Sequence, residues 1–176
     1  MMKLQGKRIA MLVGPGYEDL EFWVPLMRLQ EEGADVSVVG IRASERYTSK
    51  SGGLEAVAQI GADEVTADQF DAVVVPGGWA PDKLRRYKGV CDLVQRAYEQ
   101  GKIVASICHG GLVLISADIL RGHRATGSLG IKDDIVNAGA TWVDEAAFRD
   151  GNIVWGRVVA DIPAFCRTLV RALEDQ

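Results

Sequence analysis

The sequence predicts a three-layer α/β sandwich, in which helices cover both faces of a mostly parallel β-sheet. Short apolar runs without hydrophobic–polar alternation are typical of strands that are buried on both faces. Segments with helical spacing of apolar residues lie between these runs, as the crossover connections of parallel strands require. Because 176 residues is the size of one ordinary domain, we expect a single domain over 1–176.

The first strand is predicted at 8–14, where an apolar run ends in glycine. A helix follows from Asp19 to Gly33, because glycine commonly ends helices in a left-handed conformation. Apolar residues at helical spacing predict the buried face of this helix: Leu20, Trp23, Val24 and Met27. The apolar run at 35–41 predicts the second strand.

The middle of the chain continues the alternation. The polar stretch 42–67 predicts a hairpin or short strands, and the apolar run 71–75 predicts a third buried strand that stops at Pro76. Apolar residues spaced by three and four predict a helix over 83–100. The run 102–107 predicts the fourth strand.

The last third of the chain predicts three more helices. The first two are a short apolar helix at 109–120 and a helix at 131–138, with strands predicted near Thr126, at 141–143 and at 152–158. The final helix has one apolar face: Ile162, Phe165, Cys166, Leu169 and Leu173. This pattern indicates a sandwich of the flavodoxin-like kind, in which ligands bind at the carboxyl ends of the strands. Three loops are expected there: 14–19, 76–82 and 108–111.

Composition and charge exclude several classes of protein. The net charge is −4, from 20 basic and 24 acidic residues, and no long basic run indicates a nucleic-acid partner. No stretch approaches the ~20 apolar residues that a membrane span needs. The apolar run near the N-terminus is too short for a secretory signal, so we expect a cytoplasmic protein. Three widely spaced cysteines argue against a disulfide framework and predict no metal site.

The three cysteines are predicted to differ in role. Cys91 and Cys166 lie on the apolar faces of predicted helices, where cysteine usually acts as a small core residue. Cys108 lies between a strand and a helix, where backbone N–H groups and the helix dipole favour a thiolate with a lowered pKa. The same N–H groups can stabilise an oxyanion, so Cys108 is the predicted nucleophile.

Two other side chains are candidate proton carriers for Cys108. His109 follows it directly, whereas the other histidine, His123, lies in a polar turn where we expect it to face solvent. Glu18 precedes the first helix at the same edge of the sheet, where a carboxyl with a raised pKa could move protons. Asp19 and Glu21 are interpreted as first-turn acids that complement the helix dipole.

The first loop does not resemble a dinucleotide-binding loop. The stretch GPGYEDLE lacks the third glycine, and Glu18 and Asp19 stand where a pyrophosphate would bind. We therefore expect no nicotinamide or flavin cofactor, and no other cofactor is predicted.

Five segments of the chain closely resemble one family of proteins: GYEDLE, DAVVVPGGWAPDKLR, GKIVASICHG, ISADILRG and GIKDDIVNAGATWVDE. Together they resemble the ThiJ/PfpI superfamily, specifically its intracellular protease I (PfpI) branch, over nearly the whole chain. The resemblance implies a flavodoxin-like fold, also called class I glutamine amidotransferase-like, with a cysteine on a nucleophile elbow. It also implies homodimers or hexamers, and peptidase, glyoxalase, protein deglycase or stress-chaperone roles.

The resemblance also implies roles for particular residues. Cys108 is similar in position to the family's nucleophile, His109 to its imidazole partner, and Glu18 to the glutamate that contacts the cysteine. Gly77 and Gly78 resemble the turn that helps to form the oxyanion hole.

Three departures from the family pattern bear on mechanism and substrate preference. Asp82 stands where the family usually has a glutamate that reaches a neighbouring subunit's histidine, and it is one methylene shorter. Gly111 replaces the proline that commonly follows the Cys-His-Gly motif. Ser128 and Leu129 replace a tyrosine near the substrate and the proline beside it.

Two functions from different classes follow from these residues. The first is an enzyme whose Cys108 attacks a carbonyl, with glyoxalase, deglycase or small-peptide hydrolase activity, in stress protection. Its partners would be a small carbonyl, glycated or peptide substrate and further copies of the chain. The alternative is a redox sensor or chaperone whose Cys108 is oxidised without turnover. Turnover of methylglyoxal that depends on Cys108 distinguishes the two.

Overall fold

A seven-stranded sheet forms the centre of the computed structural model, which describes residues 2–176. The strands along the chain are β1 (Arg8–Leu12), β2 (Asp35–Gly40), β3 (Arg46–Thr48), β4 (Glu55–Val57), β5 (Ile60–Gly61), β6 (Ala72–Val75), β7 (Ile103–Ile107), β8 (Arg124–Ala125), β9 (Thr141–Trp142), β10 (Ala147–Asp150) and β11 (Ile153–Gly156). The order in the main sheet is β10-β11-β7-β6-β1-β2-β5. Only β10 runs antiparallel to its neighbour. The predicted mostly parallel α/β fold is therefore confirmed.

Helices pack on both faces of this sheet. They are α1 (Asp19–Glu31), α2 (Ala80–Leu84), α3 (Lys88–Glu99), α4 (Gly111–Ser116), α5 (Lys132–Asn137) and α6 (Ile162–Glu174). Helix α1 contacts α6, and α3 contacts α4 and strands β6 and β7. All five residues predicted for the apolar face of the last helix are buried, so that prediction is confirmed. No helix within residues 2–176 has the length and apolar character that crossing a membrane requires.

The region predicted as one helix over 83–100 is instead divided between α2 and α3. The backbone at Tyr87 is extended, with φ −103° and ψ 121°, which interrupts helical geometry between the two. A side chain at Gly89, in the first turn of α3, would collide with the carboxylate of Asp63. Packing of this turn against the 62–64 segment therefore fixes where α3 starts, which local periodicity does not reveal. The polar stretch 42–67 does contain a hairpin, formed by antiparallel β3 and β4.

The buried face of α1 differs from the predicted one. Three of the residues predicted to be buried are exposed: Leu20 at 50%, Val24 at 41% and Met27 at 59%. The helix instead buries a neighbouring stripe: Glu21, Phe22, Pro25, Leu26 and Leu29. Because α1 carries apolar residues on two adjacent stripes, helical spacing alone does not decide which one packs on the sheet. This rotation brings a carboxyl group into the interior.

Candidate active site

Cys108 lies on a strained corner between β7 and α4. It directly follows β7 and begins a single 3-10 turn, residues 108–110, that leads into α4. Its φ of 58° is in the left-handed region, which is uncommon for residues other than glycine. Gly110 makes the corner possible, because a Cβ there would collide with the Val75 carbonyl and lie 2.7 Å from Ser106 Oγ. The predicted placement of Cys108 at a strand-to-helix corner is confirmed, and strain of this kind is common at functional sites.

The carboxyl group beside Cys108 belongs to Glu21. Its side chain is completely buried, and one oxygen accepts a hydrogen bond of 2.8 Å from the Gly77 N–H. The carboxyl lies next to Cys108, because a Cβ at Gly77 would collide with Glu21 Oε2 and would lie 2.9 Å from Cys108 Cβ. Within residues 2–176, the second carboxyl oxygen, Oε1, has no hydrogen-bond partner. Glu21 is thus a buried acid beside the cysteine with one unpaired oxygen.

Glu18 does not have the predicted position against the cysteine. Its carboxylate caps helix α1 and accepts a hydrogen bond of 2.8 Å from the Glu21 N–H. The prediction that Glu18 contacts Cys108 is therefore wrong. Glu21 does lie in the first turn of α1, as interpreted, but it is buried beside the cysteine and not only a complement to the helix dipole. Both differences follow from the rotation of α1. The available signal was the three-residue spacing of Glu18 and Glu21, which is typical of an N-cap and its N3 residue.

The prediction that the pKa of the Cys108 thiol is lowered is also wrong. Burial, reinforced by the nearby Glu21 charge and hydrogen bond, raises the pKa of Cys108 to about 12. Burial, with a smaller contribution from Glu18, raises the pKa of Glu21 to about 7. The helix dipole contributes little, because α4 has only six residues.

These two pKa values describe one coupled pair. Two acids in contact lose their protons in two steps that belong to the pair, near pH 7 and near pH 12. Between those steps the pair carries one proton and one negative charge. In that state the sulfur keeps the proton, because its pKa is the higher of the two, and Glu21 is the ionised group. The Glu21 carboxylate can then take the thiol proton as the sulfur attacks, so it acts as a general base and no lowered thiol pKa is needed.

His109 lies beside the same sulfur. The distance from Cys108 Sγ to His109 Nδ1 is 3.4 Å. Burial, and to a lesser extent Lys50, lowers the pKa of His109, so its ring is neutral at pH 7. A neutral imidazole can accept or donate a proton next to the sulfur.

The Gly77-Gly78 turn supports the site in two different ways. The Gly77 N–H is engaged by Glu21, so it does not have the predicted role as an oxyanion donor. Gly78 adopts a φ of 81° and pairs with Tyr17 in an isolated antiparallel bridge. Within residues 2–176, its N–H donates to no backbone or side-chain acceptor, which leaves it as the candidate oxyanion donor.

Asp82 lies at the rim of the site and not within its own chain's catalytic cluster. Its carboxylate is half-exposed and forms an ion pair of 2.6 Å with Arg86. Asp82, His109 and Trp79 line the same open cavity of about 850 Å³. In the described chain Asp82 makes no hydrogen bond or ion pair with His109.

The residues that depart from the family pattern surround the corner. The Ser128 N–H donates a hydrogen bond of 3.2 Å to the Cys108 carbonyl. A Cβ at Gly111 would lie 3.1 Å from Ile131 Cδ1, so this close packing favours glycine. Leu129 is 75% exposed beside this segment. Gly111 and Ser128 therefore support the backbone of the corner, whereas Asp82 is the departure that lines the cavity.

The second histidine belongs to a separate cluster. His123 Nε2 lies 2.8 Å from the Tyr98 hydroxyl, and Nδ1 lies 2.7 Å from an Asp150 carboxylate oxygen. The prediction of a solvated His123 is wrong, because both ring nitrogens have protein partners. Cys166 is buried as predicted, and Cys91 is partly buried with its thiol donating to the Arg85 carbonyl. Residues 2–176 contain no group of three or more His, Cys, Asp or Glu side chains that could hold a metal ion.

Comparisons with known proteins agree with the fold and extend over most of the chain. The model of the DJ-1/PfpI family matches residues 7–172. A deglycase of Pyrococcus abyssi is 42% identical over 167 residues, which are 95% of this chain and 99% of that protein. General stress protein 18 of Bacillus subtilis is 35% identical, over 96% and 99% of the two chains. The crystal structure of a two-domain protein of Anabaena variabilis, with DJ-1/ThiJ/PfpI-like and ferritin-like domains, has a TM-score of 0.93. It is 44% identical, and the match covers 95% of this chain and 48% of that one.

Proposed function

The chain belongs to the DJ-1/PfpI family, and from this membership we propose that it is a cysteine-dependent deglycase or glyoxalase that protects against reactive carbonyl compounds. The archaeal deglycase of nearly equal length supports this choice among the activities of the family. The observation that carries the proposal is the placement of Cys108 beside both the buried Glu21 carboxyl and His109. That cluster can supply a nucleophile and move protons at neighbouring atoms of one substrate.

The chemistry on a 2-oxoaldehyde begins at the sulfur. Cys108 Sγ adds to the aldehyde carbon, a C–S bond forms, and the carbonyl π electrons move onto oxygen, which takes the proton of Glu21. The Glu21 carboxylate or His109 then removes the hydrogen of that carbon as a proton and returns a proton to the adjacent ketone carbon, while the hydroxyl proton of the first carbon passes to the ketone oxygen. The first carbon becomes a thioester while its neighbour becomes an alcohol. Water cleaves the thioester, and a 2-hydroxy acid leaves.

These reaction steps balance with the residues present in the site. One carbon is oxidised while its neighbour is reduced, so no external oxidant or reductant takes part. A glycated thiol carries the same carbon as a hemithioacetal. Its C–S bond breaks, the substrate sulfur leaves as the repaired thiol with the hydroxyl proton, and the restored aldehyde carbon then adds to Cys108 as above. The Gly78 N–H can donate to the oxygen that becomes negative in the first step.

The decisive experiment is a parallel turnover assay with purified protein. Methylglyoxal, a methylglyoxal-modified thiol and fluorogenic peptides are offered to the wild type, to Cys108→Ser and to the control Cys91→Ser. We expect turnover of the first two substrates by the wild type and by Cys91→Ser, and its loss in Cys108→Ser. Full activity in Cys108→Ser would contradict the proposal.

A redox-sensing role is the second candidate, and the unpaired Glu21 oxygen favours it. In such a role the thiolate attacks a peroxide oxygen, an S–O bond forms as the O–O bond breaks, and hydroxide leaves with a proton. Glu21 Oε1 has no hydrogen-bond partner within residues 2–176, and a protonated carboxyl beside Cys108 could donate to an oxygen on its sulfur. Quantitative oxidation of Cys108 by hydrogen peroxide, without methylglyoxal turnover by the reduced protein, would favour this second role.

A further inference from the structure

Lys50 is a charged residue at the mouth of the site that the proposed chemistry does not use. It is exposed and lies between β3 and β4, on the loop of the hairpin. Its Nζ lies 5.8 Å from the centre of the Trp79 ring, and Trp79 lines the cavity together with His109. Within residues 2–176, Lys50 forms no ion pair with any carboxylate. The site therefore has a cation at its entrance whose charge is not neutralised by a neighbour.

The backbone that carries Lys50 is firmly held against the first loop. The Lys50 N–H donates to the Tyr17 carbonyl at 2.8 Å, and the Gly16 N–H donates to the Thr48 carbonyl at 3.0 Å. The Ser51 hydroxyl donates a hydrogen bond of 2.6 Å to Asp19, so this carboxylate at the end of the first loop already has a partner. The stem of Lys50 therefore starts from a fixed point, and only its side-chain torsions remain to be ordered when an anion binds.

The charge of Lys50 acts on all three groups of the cluster. It lowers the pKa values of Glu21, Cys108 and His109, in each case as a smaller contribution than burial. Above pH 7 the pair of Glu21 and Cys108 carries a negative charge, which repels an anionic substrate. A cation at the entrance offsets that repulsion. Neutral carbonyl compounds do not need such a residue.

We infer that Lys50 is a substrate-positioning residue that binds a carboxylate attached to the carbonyl substrate. The ammonium group over the Trp79 ring would hold the carboxylate while the carbonyl carbon points toward Cys108. The preferred substrates of the site are then small carbonyl compounds or glycated groups that carry a carboxylate. This inference rests on the proposed function for its substrate, although its test does not need turnover.

The test compares two reagents that alkylate Cys108 and differ in charge, iodoacetate and iodoacetamide. The ratio of their rate constants cancels any change in the thiolate itself, since both react with the same sulfur. The rates are measured by peptide mass spectrometry in the wild type, Lys50→Met and Lys50→Arg. The control is Lys83→Met, because Lys83 lines the same cavity without contributing to the pKa values of the cluster.

We expect the iodoacetate-to-iodoacetamide ratio to fall roughly five-fold in Lys50→Met, as removal of one nearby charge in a partly hydrated site predicts. The ratio should stay near the wild-type value in Lys50→Arg and in Lys83→Met, and it should shrink at high salt in the wild type. An unchanged ratio in Lys50→Met would overturn the inference. An equal fall in Lys83→Met would also overturn it, because it would show a general positive field in place of a specific residue. Since alkylation requires no turnover, loss of the deglycase proposal alone would leave these ratios unaffected.

Discussion

Glu21 and Cys108 are best understood as one titrating unit. The acid is buried at the point where the sulfur needs a proton partner, and Gly77 fixes one of its oxygens. A side chain at Gly77 would collide with the Glu21 carboxyl and would lie 2.9 Å from Cys108 Cβ. The glycine at this position therefore allows the acid and the thiol to approach each other. Burial raises both pKa values, and above pH 7 the ionised Glu21 carboxylate can accept the thiol proton as the sulfur attacks.

Alkylation by iodoacetamide should follow the first ionisation of this pair. In the wild type we expect the rate at Cys108 to rise with a midpoint near pH 7, the pKa of Glu21. In Glu21→Gln no carboxyl proton is left to lose, and burial keeps the thiol pKa above its ordinary value of 9. The midpoint should therefore move above pH 9. Peptide mass spectrometry after a limiting dose measures the rates at Cys108, Cys91 and Cys166 together.

The other two cysteines are internal controls for that measurement. Burial raises the pKa of Cys91 above its ordinary value, with a smaller contribution from the charge of partly exposed Asp92, and burial raises the pKa of Cys166 to about 11. Neither thiol has the general base that Glu21 provides for Cys108, so Cys108 should be labelled first near pH 7.5. Equal labelling of all three thiols, or the same midpoint in Glu21→Gln as in the wild type, would show that the sulfur titrates independently of Glu21.

The buried carboxyl should also make the stability of the fold depend on pH. The pKa of Glu21 is raised from 4.5 in the unfolded chain to about 7 in the folded protein, so the folded state holds a proton that the unfolded state releases. The resulting stabilisation is fully present below pH 4.5 and is lost as the pH rises through 7. The shift corresponds to about 3 kcal/mol.

Glu21→Gln isolates this contribution, because glutamine can still accept the hydrogen bond from Gly77. Between pH 4.5 and pH 8, the free energy of unfolding of the wild type should fall by about 3 kcal/mol more than that of the variant. Urea denaturation at a series of pH values measures the difference. Parallel pH profiles of the two proteins would mean that Glu21 is ionised throughout this range.

At the scale of elements, the sequence predicted the sheet and the corner better than the helix beside them. Apolar runs such as 71–75 and 102–107 are specific for buried parallel strands, and the position of Cys108 follows from where one such run ends. Helix α1 has two apolar stripes, and only packing against the sheet decides which is buried. The choice between Glu18 and Glu21 depended on that packing. The identity of the acid was therefore the part of the site that local pattern did not determine.

The corner between β7 and α4 depends on the absence of a side chain at Gly110. In Gly110→Ala, the new methyl group would collide with the Val75 carbonyl, a backbone atom of a central strand that does not move easily. We expect a loss of about 2–3 kcal/mol in the free energy of unfolding, typical of overpacking in a rigid core. Gly53→Ala is the control, because a Cβ there lies 3.4 Å from the Ser51 hydroxyl and φ is not positive. A similar small effect of both substitutions would mean that the corner relaxes around a larger residue.

At the scale of the whole molecule, Asp82 raises the question of where His109 finds a carboxylate. Asp82 lies at the rim of the cavity that contains His109 but is paired with Arg86 within its own chain. We propose that, in an assembly of identical subunits, Asp82 reaches the His109 of a neighbouring subunit, as the resemblance of its segment implies. A carboxylate on the imidazole fixes its tautomer and stabilises its charged form.

Mixed assemblies test this sharing of residues. Cys108→Ser and Asp82→Ala subunits should each have little activity alone and should regain part of it when they are unfolded and assembled together. In such a mixture, one site combines an intact Cys108 with an intact Asp82 from its neighbour. Methylglyoxal turnover measures the recovery, and native mass spectrometry verifies that mixed assemblies form. Verified mixing without recovery would mean that Asp82 acts within one chain or is not needed.

The tie between the β3–β4 hairpin and the first loop has an evolutionary consequence. Cys108 and Glu21 are set by the sheet and by a fully packed helix face, where few replacements preserve the geometry. Lys50 and Trp79 lie on exposed connections, and the hydrogen bonds that hold the hairpin in place come largely from its backbone. Replacements at these two side chains therefore leave the positions of the reacting groups unchanged, and loss of the Lys50 charge alters their pKa values less than burial does. A lineage of proteins with this fold could change which carbonyl compounds it accepts through mutations on the hairpin, while the chemistry at Cys108 stays the same.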